Sequence, residues 1–430
     1  MFAFIKKRYH WVIAVLILLE LAVYGGIMNN LVSLHLIPVT EELGITRGDF
    51  SLSMSARSLV SFASTFFSGV FFLKYGYRKM ASGALLLLAL GFGVLGASWN
   101  LGMLVLGAVL VGMGEGFCST SAASRIVNAW FHKRQGLILG LVTASTGLGG
   151  SLFSMLLSEI IAASGWRWSY LLSAILLAAV GVLLFLWVRN RPADMGLRPF
   201  GEGGHHGKKP QKESRDHWVG YEARELYRKP TFYLMCLVVF LSCCCAYVAF
   251  TVVTAYLQDI GMTVQEAARV QSVMMLALAA SKFICGALSD VLGAKTINLI
   301  CMLCAALGLW MFAQTQGMGM AMGSAVVFSV GLTLTTITVP LLSSSLFGYR
   351  AQGSIIGIFM ALIPVASMIT SPVVNSLYDR IGSYRPIFLG GAVLALAVTG
   401  LMILLFLLTG NDRKKFEKNH PTMPDLEETV

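Results

Sequence analysis

Lys282 is the residue of this chain that most demands a chemical explanation. It lies in LALAASKFICGALSDVLGAK, residues 276–295, an otherwise apolar stretch ending in a Gly/Asp loop. The next charge along the stretch is Asp290, eight helical residues or roughly 12 Å away, so local pairing does not account for the lysine. If this helix crosses a bilayer, a cation near its middle costs about 2.5–3.5 kcal/mol on insertion scales, and it should face a polar cavity and meet an anion. Three more charges sit in apolar surroundings. Arg57, in SLSMSARSLVSF, is open to two roles: ligand contact, or ion pair with Glu20 or Glu115. Glu20 and Glu115 fall near the middle of apolar runs; either is suited to carry a proton, because burial and an approaching cation pull its ionisation in opposite directions.

Uncharged groups complete the set. Tyr24, Asn29 and Asn30 occur in YGGIMNN, where Gly25 and Gly26 permit bending and the amides suit a carboxylate or hydroxyl. Packing between helices is the competing account. Tyr247, Thr251 and Thr254 recur at helical spacing, and Thr333–Thr338 form a second hydroxyl cluster. The glycines of GMGEGF around Glu115 read as packing devices, because no Gly-Lys-Ser/Thr sequel marks a phosphate loop. No Ser/His/Asp, zinc-ligand or nucleotide-loop pattern is present, so neither an enzyme nor a cofactor is expected. His205 and His206 stand in a Gly/Lys-rich stretch and read as solvated. All eight cysteines fall in apolar runs; Cys301 and Cys304, a C-x-x-C pair, read as small packing residues, and no metal is expected.

The elements that must position these groups follow from composition: 56% hydrophobic and only 12% charged residues, with a mean hydropathy of +0.74. Windows of about 20 apolar residues give twelve spans. They are Trp11–Ile37, Gly48–Leu73, Met80–Ser98, Leu101–Trp130, Gly136–Ser164, Trp166–Val188, Thr231–Gln258, Val264–Val291, Thr296–Ala313, Met318–Phe347, Gln352–Tyr378 and Tyr384–Thr409. Each is expected to be a helix, since hydrocarbon leaves a continuous backbone no other partner.

The formal charge of +11 does not point to nucleic acid, because its placement follows a membrane rule. With the N-terminus inside, the inner segments hold Lys6, Lys7, Arg8, Lys74, Arg78, Lys79, Lys133, Arg134, Lys295, Arg350 and the basic residues of 189–229 and 413–418. The outer loops hold Arg47, Arg167, Arg380 and Arg385. The bias places both termini in the cytoplasm, and the first span is expected to stay as an anchor.

The chain also repeats itself. Gly44 and Gly261, Thr46 and Thr263, Gly69 and Gly286, Arg78 and Lys295, Gly136 and Gly353, Gly140 and Gly357, and Gly165 and Gly382 are all separated by 217 residues. One offset held at loops and helix ends implies a parallel duplication of six helices. The expected organisation is a six-helix bundle over residues 1–188, a flexible basic linker over 189–229, a second bundle over 230–410 and a disordered tail over 411–430.

Gly69–Lys79 (GVFFLKYGYRK) and Gly286–Lys295 (GALSDVLGAK) resemble the loop motif G-x-L-x-D-x-x-G-x-[RK] of the major facilitator superfamily. The second copy matches throughout; the first carries Phe71 and Leu73 where the family usually has Leu and Asp. The resemblance implies a gating role for Gly69, Gly76, Arg78, Gly286, Asp290, Gly293 and Lys295. Asn128–Gly150, Gly165–Ala174, Arg191–Gly201, Ser345–Phe359 and Ser371–Phe388 are similar to the monocarboxylate and oxalate/formate branch. In that branch a helix-8 cation, usually arginine, precedes the loop glycine by four residues; Lys282 holds that place relative to Gly286. The resemblance implies that it touches a substrate carboxylate, as a point charge rather than a planar fork. No cation lies between Arg350 and Arg380, which disfavours oxalate. Gly147-Leu148-Gly149-Gly150 replaces the Gly-Pro pair usual in drug/proton antiporters, which speaks against efflux.

The expectation is therefore an all-α membrane protein: twelve transmembrane helices in two pseudo-symmetric six-helix bundles, in the inner (cytoplasmic) membrane and working as a monomer. It would carry small organic anions of the monocarboxylate type by alternating access, by proton symport or anion exchange. Lys282, Arg57, Tyr24, Asn29, Asn30 and Tyr247 are the candidate substrate contacts, and Glu20 and Glu115 the proton-coupling candidates. Efflux of amphipathic solutes is the alternative, and a non-transporting membrane sensor the more distant one.

Overall fold

In hydrocarbon an apolar chain can satisfy its backbone only within itself, and this chain is helical over nearly all of its described length. The structure, a computed structural model, describes residues 9–118, 120–131, 135–200, 223–335, 342, 346, 347 and 352–419. The first half holds α1 (Tyr9–Leu43), α2 (Arg47–Gly96), α3 (Leu101–Glu115), α4 (Thr120–Trp130), α5 (Gln135–Ser164) and α6 (Trp166–Trp187). The second half holds α7 (Pro230–Phe250), α8 (Val253–Asp259), α9 (Val264–Leu292), α10 (Ala294–Ala313), α11 (Met318–Leu332), α12 (Gln352–Ile381) and α13 (Arg385–Asn419). Among the described residues, nine stretches are long and apolar enough to cross a membrane, and α3 and α11 are shorter apolar helices.

Twelve transmembrane helices in two pseudo-symmetric six-helix bundles are thus present, with corrections to their continuity. The second and third spans run together as α2, and only Gly76, at φ 75°, breaks the helical path between them. The fourth span is not continuous from Leu101 to Trp130: α3 ends at Glu115 and a turn over Gly116–Cys118 leads towards α4. The seventh is interrupted at Thr251 and Val252, and the tenth passes into a 3-10 turn at Thr333–Thr335.

The 217-residue repeat is visible in the backbone itself. Glycines with positive φ pair as Gly44 with Gly261, Gly76 with Gly293, and Gly165 with Gly382. That region is one L side chains avoid. Thr46 and Thr263 open α2 and α9 with the same capping box, closed by Asp49 and Glu266. Helices α3 and α11, and α5 and α12, begin and end at matching positions. The breaks match too: Gly116 (φ −61°, ψ −22°) follows α3 as Thr333 (φ −62°, ψ −25°) follows α11.

Within the first half α1 packs on α5, and α2 on α3 and α6; the halves meet where α5 faces α9 and α2 faces α12. Small residues set these distances. A Cβ on Gly149 would stand 2.0 Å from the Ala22 carbonyl oxygen, closer than any side chain tolerates, so α1 and α5 touch backbone to backbone.

Polar links between described residues of the two halves gather near one end, the one bearing the turns at Gly44 and Gly261. Arg47 grips Asp259 with two hydrogen bonds of 2.7 and 2.8 Å and reaches Tyr384 Oη at 3.2 Å. Its guanidinium lies 4.0 Å above the Tyr378 ring. The Gly48 amide donates to Asp379 at 2.8 Å, Ser55 to the Met368 carbonyl at 2.7 Å, and Thr254 to the Ser33 carbonyl. Ser151 meets Ser272 at 2.6 Å, and Ser154 donates to the Ala268 carbonyl at 2.8 Å. At the same end, but inside the first half, Glu42 holds Arg167 and accepts from the Trp166 indole at 2.6 Å.

The opposite end carries most of the basic residues, and the stretch expected as a linker begins there. Its first part, residues 189–200, is packed rather than free. Asp194 caps the Arg191 amide, Phe200 donates to the Trp130 carbonyl at 2.8 Å, and the His10 ring meets the Arg198 carbonyl at 2.8 Å. Residues 201–222, with His205 and His206, lie outside the described residues, as do Lys6, Lys7, Arg8, Lys133, Arg134, Arg350 and the tail from 420.

Candidate functional site

A glycine fixes where Arg57 sits. A Cβ on Gly112 of α3 would come within 2.3 Å of the Arg57 carbonyl oxygen, so α2 and α3 close on each other at this level. Three residues on, Glu115 shares that face of α3, and its Oε2 lies 3.5 Å from Arg57 Nη1. The pair is largely withdrawn from solvent, with side chains 11% and 22% exposed. Of the two roles the sequence left to Arg57, the ion pair with Glu115 is therefore present. It does not use up the guanidinium: Arg57 Nε and Glu115 Oε2 are buried without a hydrogen-bond partner among the described residues.

Arg57 also lines a cavity of about 30 Å3 between the halves, with Asn29, Ser33, Tyr247, Ser367 and Ser371 on its walls. That is room for about two water molecules. The interruption of the seventh span borders it: Thr251, where α7 ends, is a lining residue and donates to the Tyr247 carbonyl at 2.9 Å. Non-helical backbone at membrane depth is tolerated where it borders such a space. Two hydroxyls in the cavity wall, Ser33 Oγ and Ser371 Oγ, are buried and have no partner among the described residues.

The other candidates divide. Asn29 and Tyr247 join Arg57 at the cavity. Tyr24 stands in the electrostatic field of Glu115, Arg57 and Glu20 but is not a lining residue. The Asn30 amide is engaged by the Gly26 and Gly150 carbonyls, each at 2.8 Å, and so ties α1 to α5. Glu20 is buried and accepts from Tyr77 Oη at 2.5 Å, which links it to the residue following the Gly76 break. Lys282 is half-buried on α9, away from the cavity wall, with no ion pair or hydrogen bond to any described residue. Counted from the matching starts of α2 and α9, it lies eight residues further along its helix than Arg57, roughly 12 Å nearer the basic end.

The loop-motif residues also separate. Gly76 and Gly293 adopt the same positive φ. The Arg78 amide donates to Asn190 Oδ1 at 2.9 Å and its Nε to the Phe185 carbonyl at 2.5 Å, while Lys295 lies 5.8 Å from the Phe406 ring centre. Gly286 has open space where a Cβ would point. The surroundings of Gly69 and of the Asp290 carboxylate fall outside the described residues.

Several contacts at and around the candidate site are not legible in the sequence. Arg47 figured only as an outer-loop base, and Asp259 and Tyr77 not at all. Ser33 and Ser371 carried no signal, since serine in an apolar helix usually packs or bonds its own preceding turn.

Comparison with known proteins places this geometry. The family model described as Major Facilitator Superfamily matches residues 16–369. A probable sulfoacetate transporter of Cupriavidus necator is 26% identical over 97% of this chain and 98% of its own length. A glucose-6-phosphate exchanger of Xenopus tropicalis is 29% identical, but the alignment covers 34% of this chain and 30% of that protein. The crystal structure of a nucleoside transporter superposes with a TM-score of 0.74 over 93% of this chain and all of that one, at 12% identity. This last likeness speaks for the fold alone.

Proposed function

The chain belongs to the Major Facilitator Superfamily, a family of transporters, and on that premise we propose that it carries small organic anions of the monocarboxylate type across the cytoplasmic membrane by alternating access. The observation that carries this reading is Arg57 in the inter-half cavity: its buried Nε, like the hydroxyls of Ser33 and Ser371 on the same wall, has no partner among the described residues. Buried donors left unmatched cost about 1–3 kcal/mol each, and an anion rich in acceptors relieves that cost. The full-length likeness to a probable sulfoacetate transporter supports an anionic cargo.

In this reading the Arg47 end is the outer mouth, because the basic end should face the cytoplasm. The cross-half links around Arg47 and Asp259 then close the outer side, and cargo exchanges with the cytoplasm. Lys282, without a partner among the described residues and nearer that side, is the first cation an entering anion meets, and Arg57 the second. In the empty carrier Glu115 pairs with Arg57 and Glu20 accepts from Tyr77. Arrival of an anion adds negative charge to this group, so a proton taken up by one of these carboxylates, or exchange for a second anion, completes the cycle.

Uptake of radiolabelled lactate, pyruvate or formate into proteoliposomes tests the reading. Saturable uptake and counterflow that disappear in Arg57→Ala and Lys282→Ala are the expected result. Binding without counterflow would make the chain a receptor instead, and undiminished uptake in both variants would remove the anion site.

A further inference from the structure

We propose that Ser33 and Ser371 determine specificity at the Arg57 site, selecting acids that carry an oxygen beside the carboxylate over plain carboxylic acids. The inference rests on the carrier reading above and adds two residues and a selection rule to it.

Arg57 has two usable edges. Glu115 approaches Nη1, which leaves the side-on edge formed by Nε and Nη2 as the fork that suits a carboxylate. Nε is the buried atom without an acceptor. Glu115 is then a positioning residue: it steadies the guanidinium from one side while the other remains free.

A carboxylate on that edge leaves two cavity-lining hydroxyls unmatched. Ser33, on α1, is 2% exposed and Ser371, on α12, is 4% exposed, and the Oγ of neither has a partner among the described residues. Other cavity-lining hydroxyls are already committed: Ser55 to the Met368 carbonyl, Ser58 to Met54 and Thr251 to Tyr247. Native proteins leave few buried polar groups unmatched, yet here three lie around one small cavity, on three helices and from both halves. A 2-hydroxy or 2-oxo acid offers both the carboxylate and the extra oxygen. A plain acid of the same length would bury the two hydroxyls against its methylene, and sites built to hydrogen-bond a substrate oxygen reject the analogue that lacks it. Because the hydroxyls come from opposite halves, such a substrate also bridges them.

The test compares matched acid pairs, lactate with propionate and glycolate with acetate, by uptake and counterflow in proteoliposomes holding the full chain. The wild type should favour the oxygenated member by about a hundredfold or more in kcat/KM. Ser33→Ala and Ser371→Ala should each shrink that ratio about tenfold, through a greater loss on the oxygenated acid than on the plain one. Ser33→Thr, which keeps a hydroxyl, should restore the preference. A merely structural role would lower both members of a pair alike and leave the ratio where it was; that outcome overturns the inference. Equal handling of each pair by the wild type overturns it as well, while the carrier reading stands. Failure of the wild type to move any of the four acids defeats the monocarboxylate reading itself, and the inference with it.

Discussion

Asp259→Asn should unlatch the Arg47 end of the molecule. In the present conformation Asp259 takes two charge-assisted hydrogen bonds from Arg47, and the side chains are 24% and 15% exposed. Such bonds contribute about 1.5–3 kcal/mol net each when well desolvated. Partial exposure and the retained amide oxygen reduce this to about 2–3 kcal/mol for the pair. The contact joins the two halves, so it exists only while that end is shut. Removing it should move the shut-to-open ratio about 30- to 150-fold towards open. A cysteine at Ser367, on the cavity wall, reports the change: a membrane-impermeant maleimide added to right-side-out vesicles should react faster by that factor in Asp259→Asn. Arg47→Asp combined with Asp259→Arg should restore slow labelling, since the pair is rebuilt with its charges exchanged. An unchanged labelling rate in Asp259→Asn, or no rescue in the double variant, would show that the pair does not hold this end shut.

Other expectations follow from single contacts. Arg57→Lys keeps the charge but loses the planar fork, so KM for a transported acid should rise about tenfold or more in proteoliposome uptake, with the protein still folded. Gly149→Ala places a methyl 2.0 Å from the Ala22 carbonyl oxygen and should cost about 1–3 kcal/mol, seen as a lower melting temperature in detergent. Lys282→Met removes an embedded cation that has no partner among the described residues. Its melting temperature should hold or rise while uptake of organic acid falls, separating stability from transport.

The architecture was legible because two strong signals coincide: apolar runs long enough to span a bilayer, and turn glycines at one constant offset. Gly44, Gly165, Gly261 and Gly382 were readable as loop markers and indeed take positive φ. Continuity within a span was not readable. The interruption at Thr251 and Val252 falls within an unbroken apolar run, and what favours it is the cavity beside it, a tertiary feature. The charged residues were found by type, but their partners depend on how each helix is rotated and tilted. Arg57 and Glu115 were both recognised, yet only the close approach at Gly112 decides that they pair. The link from Glu20 to Tyr77 depends on the path the chain takes after Gly76, which no periodicity encodes.

The repeat gives the Arg47 contact a particular meaning. Glu42 and Asp259 are 217 residues apart, and so are Arg167 and Tyr384. In the first copy the acid finds its arginine at home, Glu42 with Arg167. In the second copy tyrosine occupies the arginine's place, and the acid borrows Arg47 from its sibling. Severed between the bundles and produced separately, the second half would expose a bereft carboxylate and the first a spare guanidinium. The pieces should therefore find each other again by this seam when made together, and the reunion should weaken as salt is added.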